Sequence, residues 1–437
     1  MGRFRSWLQS IPERFWFIPA LFIAGAIIVS QVLVGADRAK LPLPAVLEGF
    51  LFDTGVEGAR ALLTAVASFL GVAGTAFSIT ISVISTASTT YGPRLVRNFM
   101  RDRNNQLVLG VLVATFVYTL MVLRTIRSEG DDGAAFVPPL AVNGAIVLGV
   151  VDVFLFVWFI HHIASSVQVD SLVEDARRDF VRAVDTNWLD IEDARVADLP
   201  PPVEPGGVVT LGRSGYLTEV DARDLADDAA RAGSAVRLLK RVGDQVMADE
   251  PLALVWPRDA VEAMQPSVRD HVHVGASRTT EQDVRFAEQQ VVELAVRALS
   301  PGINDPYTAI NSVEEVASGI IGAVGRPETG SVLLDDDGAP RLYLRPVRAA
   351  QILDMPFDHI RPYALGSAIV LRALVDLAAR IRATAVDPEH AARADRHVQT
   401  MLTEAEGVLA AGDLTALRDY AEASRSGSVL QPPAEPR

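Results

Sequence analysis

The sequence predicts a membrane protein with a four-helix transmembrane region and a cytoplasmic α+β body, the latter built from a small β-rich subdomain and helical hairpins. Three observations predict it. Four nearly uncharged windows lie within residues 1–169, each long enough for the roughly 20 apolar residues that a spanning helix needs. Charge is unevenly divided: residues 1–168 hold 12 Lys+Arg and 10 Asp+Glu (net +2), and the remainder holds 28 and 44 (net −16). Beyond residue 168 the pattern changes to short β-branched runs separated by turn residues, and then to helical periodicity.

The four windows are Phe15–Ala36, Ala61–Pro93, Asn104–Leu123 and Gly133–Val169, the last interrupted only by Asp152. The first follows Arg3, Arg5 and Arg14, as a secretion signal would, but it is long and lacks a clear small-residue cleavage site. It is expected to stay as an anchor. Arginines set the direction. Three lie before the first window, and Arg94, Arg97, Arg101 and Arg103 lie between the second and third. The Asp37–Arg60 and Arg124–Asp132 loops balance their bases with acids. Both termini are therefore expected on the cytoplasmic side of the membrane, with Arg94, Arg97, Arg101 and Arg103 at the cytoplasmic mouth of any pathway.

The second window is the most informative. Thr64, Ser68, Gly71, Thr75, Ser78, Ser82, Ser85 and Thr89 recur at alternating spacings of four and three, which places them on one helix face. Leu62, Val66, Phe69, Ala73, Ala76 and Val83 fall opposite. Such a stripe suits a tight helix–helix seam or the hydroxyl lining of a pathway assembled from several copies. The window is also long: 33 residues make a helix of about 50 Å against a hydrocarbon core of about 30 Å. Gly92-Pro93 is its natural stop.

Asp152 is an acid inside a span, which points to function or to a hydrogen bond that fixes packing. Arg124 or a hydroxyl of the second span are its expected partners. His161 and His162 close the fourth window, where interfacial placement or pH sensing is expected.

An amphipathic helix over 169–196 and a Pro/Gly linker lead to the β-rich subdomain, 206–277. Its strands are expected at Val208–Leu211, Tyr216–Val220, Ala235–Leu239, Leu252–Trp256 and His271–Ser277, with a helix at Ala222–Arg231. Gly215-Tyr216 and Arg241–Pro251 resemble the turns of small carrier-type β barrels, but no modifiable lysine sits at a methionine-flanked hairpin tip, so no prosthetic group is expected. The mainly helical subdomain, 278–425, starts with a capping box at Thr279 and Gln282. A helix to Leu299, a Pro/Gly corner, and a helix capped by Asp305 with Pro306 at its first position form a hairpin. Two strands around Asp335–Gly338, helices over Pro356–Thr384 and Pro388–Tyr420, and a loose tail at 426–437 complete the reading.

Chemistry-bearing candidates are few. The chain has no cysteine, and its sequence contains no phosphate-binding loop, dinucleotide fingerprint or nucleophile elbow. His271 and His273 have strand spacing that suits zinc, without an evident third ligand. Arg278, Glu281, Asp283, Glu288 and Glu293 read as a solvated or intersubunit helix face, and Asn304 and Asp305 form a candidate ligand corner. No catalytic residue, metal or cofactor is assigned. The acidic body repels nucleic-acid phosphates, so membrane lipid and further copies of the chain are the expected partners.

The strings GTAFSITISVISTASTTYGPRLVRNFMRDR (74–103), FIHH (159–162), RTTEQD (278–283) and RALSPGINDPYTAI (297–310) resemble the bacterial DUF2254 family of predicted membrane proteins. That resemblance covers nearly the whole chain. It implies a polytopic inner-membrane protein and brings no assigned activity. The resulting expectation is a homo-oligomer with a channel-like ion or small-solute pathway lined by the second span and controlled by the body. The alternatives are a non-conducting sensor or scaffold, or a membrane enzyme using His271 and His273.

Overall fold

A computed structural model describes residues 16–39, 54–91, 102–128, 135–166, 169–189, 193 and 195–426. The chain divides into two compact units, residues 1–168 and 169–437.

The first unit contains α1 (Phe17–Arg38), α2 (Val56–Tyr91), α3 (Arg103–Leu123) and α4 (Pro139–Ser166). All four are long and apolar enough to cross a bilayer. Central in this unit is α3: 50% of its apolar window is buried, against 17% for α1 and α2 and 22% for α4. Glycines permit close approach in this region. A methyl at Gly110 would lie 3.1 Å from the Phe22 ring, and one at Gly144 would lie 2.7 Å from the Tyr118 hydroxyl.

Polar ties fix the ends of these helices. Asp37, at the end of α1, accepts the Leu140 and Ala141 N–H groups at 3.1 Å each and caps α4. Tyr118 donates to the Ala141 carbonyl at 2.8 Å. At the other end of α3, Asp102 accepts the Asn104 N–H at 2.9 Å and meets His162 Nε2 of α4 at 2.7 Å. The two sets of ties make α3 and α4 antiparallel, as successive spans must be. Pro139 opens α4 where its missing N–H costs nothing, later than the expected start at Gly133.

The second unit starts with α5 (Val169–Asn187). It continues with β1 (Val196–Ala197), β2 (Gly207–Val209), β3 (Gly215–Val220), α6 (Ala222–Arg231), β4 (Ala235–Leu238), β5 (Gln245–Val246), β6 (Ala253–Trp256), α7 (Val261–His271) and β7 (Val272–Gly275). Next come α8 (Val284–Ala298), α9 (Pro306–Val324), β8 (Val332–Leu334), β9 (Pro340–Tyr343), α10 (Ala349–Ala364), α11 (Ala368–Thr384), α12 (Pro388–Glu404) and α13 (Ala411–Arg425). One sheet has the order β1-β8-β9-β4-β6-β2 and the other β5-β3-β7. The central pair β4 and β9 is parallel, with Val236 opposite Leu342 and Arg237 opposite Tyr343; the remaining pairs are antiparallel. One apolar core lies among the strands, α6 and α7, around Leu217, Leu225, Val236 and Met264. A second lies among α5 and α8 to α13, around Phe180, Ile320, Phe357 and Leu374.

Several local expectations are corrected. Residues 261–271 are helical despite Pro266, so His271 ends a helix and His273 alone of the pair lies on a strand. The expected capping box is replaced by Asp283, whose carboxylate accepts the Phe286 N–H at 3.0 Å. Gln282 instead bonds the Val220 N–H and carbonyl. Each long C-terminal helix is broken in two, near Gly366 and at Gly407, the latter at φ 84°.

Candidate functional site

The stripe on α2 faces away from the rest of its own unit. Thr64, Ser68, Gly71, Thr75, Ser78, Ser82 and Ser85 are all exposed, whereas Ala59, Leu63, Ala73, Phe77 and Ile84 are buried. The side chain of Thr89 lies outside the described residues. The buried face packs on α4 through aromatic pairs: Phe77 stacks on Phe159 with centroids 4.4 Å apart, and Phe69 meets Phe156 edge-on at 5.6 Å. Of the residues expected opposite the stripe, Val83 departs, being exposed.

Most of the stripe's hydroxyls turn back into their own helix. Thr64 donates to the Arg60 carbonyl at 2.8 Å, Ser68 to Ala65 at 2.7 Å, Thr75 to Gly71 at 3.0 Å and Ser78 to Gly74 at 2.9 Å. Side chains added at Gly71 and Gly74 would meet nothing within 4 Å. The result is a smooth strip of small residues with modest polarity, flanked by the exposed apolar residues Val72, Ile79 and Ile81. Of the four arginines expected at the mouth, Arg103 is exposed at the start of α3; Arg94, Arg97 and Arg101 lie outside the described residues.

Asp152 is 2% exposed and accepts the Thr115 hydroxyl at 3.1 Å. Its partner is therefore on α3, which corrects the expected pairing with Arg124 or with the second span. The contact ties two helices within the chain, and α2's stripe is on a different surface. His162, beside Asp102, also stacks on Trp158 at 5.1 Å.

In the second unit, the charges expected on a solvated or intersubunit face do not stay together: Glu281 is exposed and Glu293 half-buried, whereas Asp283 and Glu288 turn inward. Asp283 is buried, held by the Arg278 guanidinium at 2.7 and 3.0 Å, and Arg278 lies over the Phe286 ring at 4.6 Å. Glu288 is 0% exposed and neither of its oxygens has a hydrogen-bond partner. Burial pushes its carboxyl well above the ordinary glutamate range; Arg285 opposes that shift and Asp354 adds to it. Asp354 is itself clamped by Arg393 at 2.6 and 2.5 Å and by His397 Nε2 at 2.8 Å. Helical spacing alone gave these residues no distinction from Glu281 and Glu293. Their inward direction follows from packing of α8 between α5, α9 and α10.

His271 and His273 converge on acids. His271 Nε2 lies 3.2 Å from Asp228, and His273 Nε2 lies 3.2 Å from Asp221. Among the described residues no group of three or more His, Asp or Glu is arranged to hold a metal. At the α8–α9 corner, Asp305 has both oxygens engaged, one by the Thr308 N–H at 3.1 Å and the other by its hydroxyl at 2.6 Å. Asn304 is exposed at φ 50°. Helix capping accounts for this corner.

Comparison with known proteins agrees with the membrane architecture. The family described as "Predicted membrane protein (DUF2254)" matches residues 12–380. The uncharacterized proteins MT1328 of Mycobacterium tuberculosis (strain CDC 1551 / Oshkosh) and Mb1321c of Mycobacterium bovis (strain ATCC BAA-935 / AF2122/97) are each 30% identical to this chain over 440 residues. Each alignment covers 98% of this chain and 81% of the relative. No solved structure matches significantly. Four apolar helices, a mixed body and a family match over most of the chain together place this protein in the DUF2254 family of predicted membrane proteins.

Proposed function

We propose that the protein is a homo-oligomer of the bacterial inner membrane, with both termini cytoplasmic, and that its second spans meet around an axis to line a pathway for an ion or small solute. The observation that carries this reading is the outward direction of the α2 stripe. A polar strip sealed inside the four-helix unit would need no further partner. This one is presented to the outside, over seven exposed positions from Thr64 to Ser85. Two of its hydroxyls, on Ser82 and Ser85, have no hydrogen-bond partner among the described residues, and an unpartnered hydroxyl facing lipid is unfavourable. Water or a second copy of the stripe relieves that cost. The arginines of the 94–103 segment set charge at the cytoplasmic mouth, and the body controls access.

A second reading is favoured by the hydroxyls that bond back into α2. They suit a dry seam between copies, in which the protein is a membrane-anchored scaffold or sensor. Labelling separates the two. The chain has no cysteine, so Ser78→Cys introduces a unique thiol, and Ile28→Cys on the exposed face of α1 serves as the lipid-facing control. The pathway reading expects a membrane-impermeant thiosulfonate to modify Ser78→Cys in vesicles and leave Ile28→Cys unmodified. Oxidative cross-linking of Ser78→Cys between copies without such labelling supports the dry seam, and labelling of neither with no cross-link contradicts both.

A further inference from the structure

We infer that the second unit carries a binding site for a small soluble phosphate ester, set at the carboxyl ends of the central parallel strands β4 and β9. This inference is independent of the pathway reading. In open α/β sheets, ligands bind in the crevice beyond the carboxyl ends of the parallel strands, and β4 and β9 are the one parallel pair in this otherwise antiparallel sheet among the described residues. Here the chain leaves β4 through Lys240 and Arg241 and leaves β9 through Arg345. Between these loops lies a pocket of about 140 Å³, close to the cavity size that admits a benzene ring. Its walls come from both apolar cores, Val220 and Leu238 on the strand side and Val184, Val284 and Ile352 on the helical side.

The charge at the pocket is opposite to that of the unit as a whole. Residues 169–437 carry 28 Lys+Arg and 44 Asp+Glu, a net −16, yet the pocket is lined by Lys240, Arg241 and Arg345. Lys240 is paired with Glu250 at 2.5 Å. Among the described residues neither arginine has a carboxylate partner. Arg345 Nη1 donates to the Leu239 carbonyl at 2.7 Å, which ties the two loops together. Arg241 reaches only Gln351, at 3.5 Å, and its Nε is sealed from solvent with no hydrogen-bond partner. Burial makes the Arg241 cation less favourable, and the nearby Arg345 adds to that; Asp244 offsets part of it, and the exposed Arg285 contributes least. A dianion between Arg241 and Arg345 offsets their repulsion and supplies the acceptor that the Arg241 Nε lacks, through the forked geometry by which guanidinium groups grip phosphate.

The loop is also preformed. Gly243 sits at φ 94°, and a side chain there would lie 2.0 Å from the Asp283 carboxylate. The Gly243 N–H donates to the Leu217 carbonyl at 2.7 Å, and the Leu217 N–H to the Asp244 carbonyl at 2.9 Å. Holding Arg241 in place before the ligand arrives lowers the ordering cost of binding. A ring-sized apolar floor beneath two cations selects an ester with a compact organic body, and it leaves no room for a pair of acyl chains.

The test is calorimetric titration of the detergent-purified full chain with phenyl phosphate, benzoate and dihexanoyl phosphatidic acid. Phenyl phosphate should bind saturably, and Arg241→Gln and Arg345→Gln should each weaken it by about tenfold or more. Arg380→Gln, an exposed charge elsewhere in the unit, should leave it unchanged. A second measurement needs no variant: phenyl phosphate should protect Arg241 and Arg345 of the native chain from phenylglyoxal, read by mass spectrometry. Absence of binding, equal binding of benzoate, tighter binding of the short phosphatidic acid, an equal loss in Arg380→Gln, or no protection would each overturn the assignment.

Discussion

A carboxyl group at 0% exposure with neither oxygen hydrogen-bonded, as at Glu288, opposes folding whenever it must ionise. Its proton is held more tightly in the folded chain than in the unfolded one, because burial dominates. The folded state therefore binds more protons once pH exceeds the ordinary glutamate value of 4.5, and stability contributed by this residue falls as pH rises from there toward its raised value. Glu288→Gln removes that dependence. The variant is expected to match the native melting temperature near pH 4.5 and to exceed it by a few degrees at pH 8 (about 2–4 °C for each kcal/mol relieved), read by differential scanning calorimetry. A lower melting temperature at pH 8 would show that the ionised carboxylate is needed. Neither this residue nor Asp283 was legible as buried in the sequence. Their spacing matches that of exposed neighbours, and only the three-sided packing of α8 turns them inward. Asp152, by contrast, was legible, since an acid within an apolar window has few explanations; its partner was not, because pairing to Thr115 depends on how α3 meets α4.

Apolar length was enough to locate all four candidate spanning helices, with the start of α4 displaced from Gly133 to Pro139 and that of α2 from Ala61 to Val56, and strand composition located most of the β-rich region. The misses share a cause. The helix α7 contains Pro266 and a polar run, so its helicity rests on burial of Met264 and Val268 against the strands. The two-residue strand β1 exists only through pairing with β8. Interhelical fit is equally silent in a linear pattern. Gly319 of α9 is an example: a methyl there would lie 2.3 Å from the Phe180 ring of α5, so these two helices approach only because the side chain is absent. Gly319→Ala is expected to destabilise the second unit by about 1–3 kcal/mol, although alanine favours helix more than glycine. Chemical denaturation that shows no change, or a gain, would mean α5 shifts freely and does not hold the helical core.

At the scale of the whole chain, two kinds of surface stand apart from their surroundings: a polar strip on the outside of an apolar unit, and a cationic pocket on an acidic one. The strip's periodicity was readable, but periodicity does not distinguish an inward seam from an outward one; the exposure of Thr64 to Ser85 does. The pocket was not readable, because Arg241 and Arg345 are 104 positions apart and meet only through the parallel pairing of β4 with β9. The proposed function stands or falls with a pathway lined by the strip. It is tested most directly by single-channel current from the purified protein in planar bilayers, under voltage and under membrane tension, with the Ser78→Leu/Ser82→Leu double variant as comparison. Discrete currents are expected in the native protein, with a changed unit conductance in the variant. Silence from well-folded oligomer under both stimuli, or currents identical in the variant, would contradict it.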